Sequence, residues 1–105
     1  MKKLRINKYR VWDEKANCWD TTGYYPLYPN QYLVSQGRIF LQYTGIDDEE
    51  ATEVYEGDIV MFEDIIKGIV TWGDGCWTVV DMDTNKVDEL SSYNKIKVIG
   101  NEYEM

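Results

Sequence analysis

The sequence predicts a mostly β fold, in the form of a single small domain of short antiparallel strands. Val and Ile occur nine times each, Tyr nine times and Trp four times, against five Leu and two Ala. β-branched and aromatic side chains favour a pleated, half-buried surface, whereas Ala and Leu favour helices. Turn signals also follow one another closely, and no stretch keeps a 3.6-residue apolar period beyond two turns. A chain of 105 residues, 44% apolar and 29% charged, fits one globular domain over residues 1–105.

The N-terminal half contains the less regular predicted elements. They are a strand at 4–12, a polar turn at 13–17, a short return strand at 18–19, and strands at 32–34 and 38–43 around a glycine-containing hairpin turn at 35–37. The acidic stretch at 47–53 fits a loop or a single helical turn.

The C-terminal half has a clearer pattern. Strands are predicted at 59–62, 66–72, 76–81, 87–90 and 96–99, with the strongest hairpin signal, G-D-G, at 73–75. In the second of these strands Ile66, Gly68, Val70 and Trp72 share one face. A meander of about five strands over residues 54–101 is typical of an SH3-like barrel or a strongly bent sheet.

A tyrosine-rich loop is the most unusual stretch and supplies the candidate partner-contact residues, Tyr24, Tyr25 and Tyr28. Two prolines within it remove ladder donors, so it is an extended loop and not a central strand. Tyrosine combines a large apolar body with a polar tip, which suits contact surfaces. The alternative interpretation is a lid packed on the core of the domain itself.

The sequence shows no catalytic residues, no cofactor-binding motif and no metal site. The chain has no histidine, which removes the usual general base and the commonest metal ligand. Asp81, Asp83 and Asn85 match the first positions of a calcium loop, but Lys86 and Ser92 stand where glycine and a bidentate glutamate are required. We therefore expect an ordinary Asp/Asn turn here and a protein that is not an enzyme.

The charge is negative overall and unevenly distributed. The net charge is −8, which repels nucleic acid. Residues 1–15 are nevertheless basic, and their lysines and arginines alternate with aromatic residues along the first predicted strand. A nucleic-acid-binding regulatory module is thus the alternative to our first hypothesis, a protein that acts through protein–protein interaction or self-association.

The expected compartment is the cytoplasm. Cys18 and Cys76 form neither a disulfide framework nor a Cys-x-x-Cys motif, which suits a reducing environment. The basic N-terminus is followed by no apolar h-region, and no segment approaches ~18 consecutive apolar residues. We expect neither a signal peptide nor membrane association.

Four short motifs resemble those of the YopX-like family of phage and prophage proteins. They are Y-R-V-W-D at 9–13, Q-Y-T-G-I-D-D at 42–48, V-Y-E-G-D-I-V at 54–60, and V-I-G-N followed by Y-E at 98–104. Residues 49–53 depart from the family by lacking a glycine. The resemblance implies a phage or prophage product with a mostly β fold, in the cytoplasm of a bacterial host, and it supplies no activity. The motifs also make sense as structure, with Gly45 and Gly57 at turns, Asp58 as a turn cap, and aromatic residues in the core.

The tyrosine-rich loop generates the first testable prediction. If Tyr25 and Tyr28 contact a partner, replacing both by Ser weakens association and leaves the melting temperature almost unchanged, because no core contact is lost. Light scattering and a thermal melt on the double variant measure both effects. A large fall in melting temperature with unchanged association would instead identify a lid, since each buried aromatic residue contributes about 3–5 kcal/mol.

Overall fold

The computed structural model describes residues 8–20, 31–62, 65–73, 75–93 and 95–104. As predicted, the protein is mostly β. The described residues form nine strands, β1 (Tyr9–Asp13), β2 (Cys18–Trp19), β3 (Arg38–Asp47), β4 (Glu53–Tyr55), β5 (Asp58–Phe62), β6 (Ile66–Gly73), β7 (Cys76–Asp81), β8 (Val87–Glu89) and β9 (Ile96–Asn101). Three short helices accompany them, namely α1 (Gln31–Ser35) and two single 3-10 turns at Leu90–Ser92 and Glu102–Glu104. No helix in the described ranges has the length and apolar character needed to cross a membrane.

The first sheet has four antiparallel strands in the order β2-β1-β3-β4. The long strand β3 pairs with β1 through its first half and with β4 through its second half. The predicted return strand at 18–19 is present, and Trp12 of β1 faces Trp19 across the ladder. The sheet places the side chains of Trp12, Tyr43 and Tyr55 in the half-buried or buried positions expected of them.

The second sheet has five antiparallel strands in the order β8-β7-β6-β5-β9 and curls into a half-barrel. Four strands form a meander, and β9 returns to pair with β5, where Ile59 faces Gly100 and Phe62 faces Ile96. The strongly bent C-terminal sheet is therefore confirmed, whereas a closed SH3-like barrel stays a prediction. The hairpin predicted at 73–75 connects β6 and β7, with Gly73 facing Cys76.

The main core lies on the inner side of the curled sheet. Its buried members all come from the C-terminal half of the chain and comprise Val54, Val60, Phe62, Val70, Trp77, Val79, Leu90 and Ile96. Val54 and the adjoining Ile46 belong to the first sheet, so the two sheets share one core. Period-2 alternation accounts for this pattern, because residues two apart on a strand face the same side.

The strand predicted at 32–34 is wrong, because these residues lie in α1. The amide of Gln36 donates to the Tyr32 carbonyl oxygen at 3.1 Å, which is a helical i→i−4 bond. Gly37, assigned to a hairpin turn, ends the helix with a positive φ of 87°. A short apolar run fits a helix or a strand equally well by periodicity, and β3 pairs with β1 instead of returning on residues 32–34.

The side chain of Asp48 joins the second sheet to the loop after β3. One carboxylate oxygen accepts from the amides of Glu50 and Thr52, both at 2.8 Å, and the other accepts from the Val98 amide at 3.0 Å. Burial acts to raise the pKa of Asp48, but the three amide donors outweigh it, so the pKa is lowered. The loop also covers the edge of β9 that faces away from β5, which an open sheet must protect.

We predict that Asp48→Asn lowers the free energy of unfolding by about 1–3 kcal/mol at pH 7, because an amide NH₂ group would face an amide donor. Since the folded-state pKa is depressed, the stabilisation by the carboxylate is complete above the unfolded value of about 3.9 and is lost as pH falls through the folded value. Urea unfolding at pH 7 and pH 3 measures the difference.

The matched control is Glu49→Gln, which removes an exposed charge next to Asp48 and should change stability by less than about 0.5 kcal/mol. A difference between wild type and Asp48→Asn that stayed the same at both pH values would contradict the role of the carboxylate.

Candidate functional site

The structure does not bear on Tyr24, Tyr25 and Tyr28, because residues 21–30 lie outside the described residues. The nearest described tyrosine is Tyr32 of α1, whose side chain is exposed. Three other parts of the molecule are candidates for a site: the motif residues, the basic first strand and the two faces of the curled sheet.

The motif residues at 54–60 contact those at 98–104, and these contacts stabilise the fold. The carboxylate of Asp58, which is fully buried, accepts from the Tyr55 amide at 2.7 Å and from the Asn101 side-chain amide at 2.9 Å. The oxygen of the Asn101 side chain in turn accepts from the Tyr103 amide at 3.0 Å. Burial raises the pKa of Asp58, although both donors act in the opposite direction. This arrangement is a buried polar network with satisfied partners, which specifies structure.

Gly57 belongs to the same network, at the turn between β4 and β5. Its φ is +83°, and a Cβ atom there would lie 3.2 Å from the side-chain nitrogen of Asn101. Its amide also donates to the Val70 carbonyl oxygen at 2.8 Å. Any larger residue is therefore strained and crowded at this position. Gly45 has the same positive φ of 83°, but the turn predicted there is wrong, because Gly45 lies inside β3 at the register shift between Tyr43 and Asp47.

Two basic residues of the first predicted strand, Lys8 and Arg10, are described by the structure, and both are engaged within the protein. The guanidinium carbon of Arg10 lies 3.5 Å from the centroid of the Trp19 ring and 5.7 Å from that of the Tyr55 ring. Lys8 forms an ion pair with Glu53, which also accepts a hydrogen bond from the Tyr55 hydroxyl at 3.0 Å. Cation–π contacts and ion pairs of this kind compete with external phosphate groups for the same positively charged side chains.

Asp81 forms the turn expected from the sequence. One of its carboxylate oxygens accepts from the amides of Asp83 and Thr84, at 2.8 and 3.2 Å. These bonds lower the pKa of Asp81, the Asp83 amide first. Within the described ranges, no three Cys, Asp or Glu side chains are grouped so that they could hold a metal ion.

A cleft of about 320 Å³ lies at one end of the curled sheet, and we name it the mouth cleft. It is lined by core residues and by polar residues, namely Phe62, Ile66, Val79, Asp81, Lys86, Asp88, Ser92 and Tyr93. The buried Phe62 and Val79 form its apolar part. Small-molecule and side-chain pockets share this combination of an apolar lining and a few placed polar groups.

The geometry of the mouth cleft brings an aromatic pair next to two carboxylates. The rings of Phe62 and Tyr93 have centroids 4.2 Å apart, and the Tyr93 hydroxyl donates to Asp88 at 2.9 Å. Asp88 faces Val79 across the β7–β8 ladder, and Asp81 lies two residues further along the same face of β7. The Cα atoms of diagonal neighbours of this kind are about 7–8 Å apart, so the two carboxylates lie near each other on one face of the sheet.

The outer face of the same sheet carries an apolar row. Ile59 faces Ile69, Ile69 faces Val80, and Val80 faces Val87, so the row crosses four strands. Val87 is 57% exposed at one end of the row. We name these four residues the outer row. Ile59 at its other end is buried, so Val87 is the member that offers a competing contact surface.

The sequence analysis missed the mouth cleft. Its residues come from four separate segments, and none of the four motifs contributes to it. One signal was present, because Asp81 has the same strand parity as the inward-facing Trp77 and Val79. A polar residue at a core-facing position is an exception to binary patterning and therefore marks a site.

Comparison with known proteins identifies a family. The family model described as YopX protein matches residues 19–105, which is most of the chain. Of the four motifs quoted above, three lie inside the matched range and Y-R-V-W-D at 9–13 precedes it. No curated protein matches the chain.

The engagement of Lys8 and Arg10 generates a prediction about nucleic acid. At physiological salt we expect no submicromolar binding to a random-sequence DNA duplex, because the net charge is −8 and these two cations are occupied. A gel-shift titration at two salt concentrations measures this. Submicromolar affinity that falls steeply with added salt would contradict the prediction.

Proposed function

The chain belongs to the YopX protein family, and from that premise we propose that it is a non-enzymatic phage or prophage protein that acts by binding another protein. The motif resemblance supports the phage or prophage origin and, with the cysteine pattern, a place in the cytoplasm of a bacterial host. The proposed contact site is the mouth cleft.

The observation that supports this proposal most strongly is the position of buried core residues behind the mouth cleft. Phe62 and Val79 belong to the main core, yet both line a cleft that also has a polar rim. A volume of about 320 Å³ is at the small end of the range for ligand pockets. A site of this size suits a side chain presented by a partner better than a large cofactor.

The roles of the carboxylates that are buried among the described residues support a non-enzymatic role. The chain has no histidine, and the carboxylates of Asp48 and Asp58, which are buried, are held by backbone and side-chain amides in structural positions. General acid–base catalysis needs titratable groups that can reach a substrate, and these two cannot.

Two observations oppose the alternative, a nucleic-acid-binding module. The net charge is −8, and the first strand's Lys8 and Arg10 are occupied by Glu53 and by the Trp19 and Tyr55 rings. The same negative charge favours a basic protein partner through electrostatic steering.

The proposal is tested by affinity purification of the tagged protein from host cells that carry the phage. We predict that Ser92→Trp, which fills the mouth cleft, lowers recovery of a specific partner protein at least tenfold. Ser91→Trp is the matched control, because Ser91 is exposed on the same 3-10 turn and does not line the cleft. This control should retain the partner.

A third variant, Val87→Asp, tests the outer row. Loss of the partner with Val87→Asp but not with Ser92→Trp would reject the mouth cleft as the site. Recovery that disappears on nuclease treatment would favour the nucleic-acid alternative.

A further inference from the structure

We propose that the mouth cleft binds one basic side chain, a lysine or arginine of the partner, with its cation between Asp81 and Asp88. This inference rests on the proposed function of the same cleft and adds the chemistry of the group that enters it. Four properties of the cleft support it: the aromatic pair, the apolar lining, the position of the carboxylates and the charge around them.

The aromatic pair and the apolar lining suit the stem of such a side chain. Lysine and arginine have long aliphatic stems that pack on apolar surface while the charged end stays polar. Ile66 and Tyr93, both half-buried, provide that surface next to the buried Phe62 and Val79. Tyr93, stacked on Phe62 at a centroid distance of 4.2 Å, presents an aromatic ring on which a cation, and a guanidinium in particular, can stack.

The carboxylates suit the charged end. The hydrogen bond from Tyr93 goes to Oδ2 of Asp88, and both turn amides go to Oδ1 of Asp81. Among the described residues, the other oxygen of each carboxylate accepts no hydrogen bond. Tyr93 also fixes the rotamer of Asp88, so this acceptor is positioned before a ligand arrives, which reduces the entropy lost on binding.

The charge around the cleft stays negative, although Lys86 acts electrostatically on Asp81 and helps to lower its pKa. Lys86 lies on the rim, and in the part of the chain that the structure describes it forms no ion pair within 4.0 Å. Its amide donates to Thr84, while its carbonyl oxygen accepts from the Asp81 amide at 2.8 Å. The cleft therefore has two carboxylates and one lysine at its rim, on a protein of net charge −8.

The test uses three capped pentapeptides, with arginine, lysine or citrulline at the centre of four alanines, titrated into the isotope-labelled full chain. We expect the arginine peptide to shift the NMR resonances of Tyr93, Ser92 and Phe62 in a saturable manner, with the lysine peptide weaker. Citrulline, a neutral isostere of arginine, should bind at least tenfold more weakly, because charge-assisted hydrogen bonds are lost.

Two charge-matched variants locate the interaction. Asp88→Asn keeps an acceptor for the Tyr93 hydroxyl and should weaken the arginine peptide about tenfold, whereas Asp83→Asn, on the neighbouring turn and outside the cleft, should change it less than twofold. The proposal is overturned by no resonance shift at millimolar peptide, by equal binding of citrulline, or by equal effects of the two variants. If Ser92→Trp still abolishes partner recovery while Asp88→Asn does not, the charge inference fails and the proposed function stands.

Discussion

The fold depends most on the buried contact between Asp58 and Asn101. A carboxylate without solvent is costly unless its oxygens are satisfied, and here the Tyr55 amide and the Asn101 side chain supply the donors. The first bond fixes the turn from β4 to β5, and the second holds the end of β9 beside the start of β5. Because β9 and β5 are far apart in sequence, this pairing joins the C-terminal strand to the first strand of the meander and forms one edge of the five-stranded sheet.

The curl also explains why a cleft forms where it does. Pairing with β9 covers the free edge of β5, and the Asp48 loop covers the remaining edge of β9. The other edge is β8, only three residues long. At that end the Phe62–Tyr93 ring pair lies over the core, next to the polar turn residues of β7 and β8, and the mouth cleft forms there.

Elements that are specified by residues close together in the sequence were predicted correctly. Features that depend on contacts between distant residues were not. Alternation over 66–72 placed Val70 correctly in the core, and the glycine turns at 57 and 73–75 are present. Residues 32–34 are too short an apolar run for periodicity to separate helix from strand, and α1 was missed for that reason. The mouth cleft was missed because it forms only when β7 pairs with β8 and Tyr93 packs on Phe62. The residue pattern within one strand shows neither contact.

The polar networks that hold the fold together share no residue with the lining of the cleft. Three of the four motifs supply the Asp48 and Asp58 networks, whereas Phe62, Asp88 and Tyr93 lie outside them. A fold held together away from its contact site can accept changes at the cleft without loss of the core network, because the energies of distant sites are nearly additive. The shared fold of the YopX family therefore need not imply one shared partner, since specificity lies in the site and not in the scaffold.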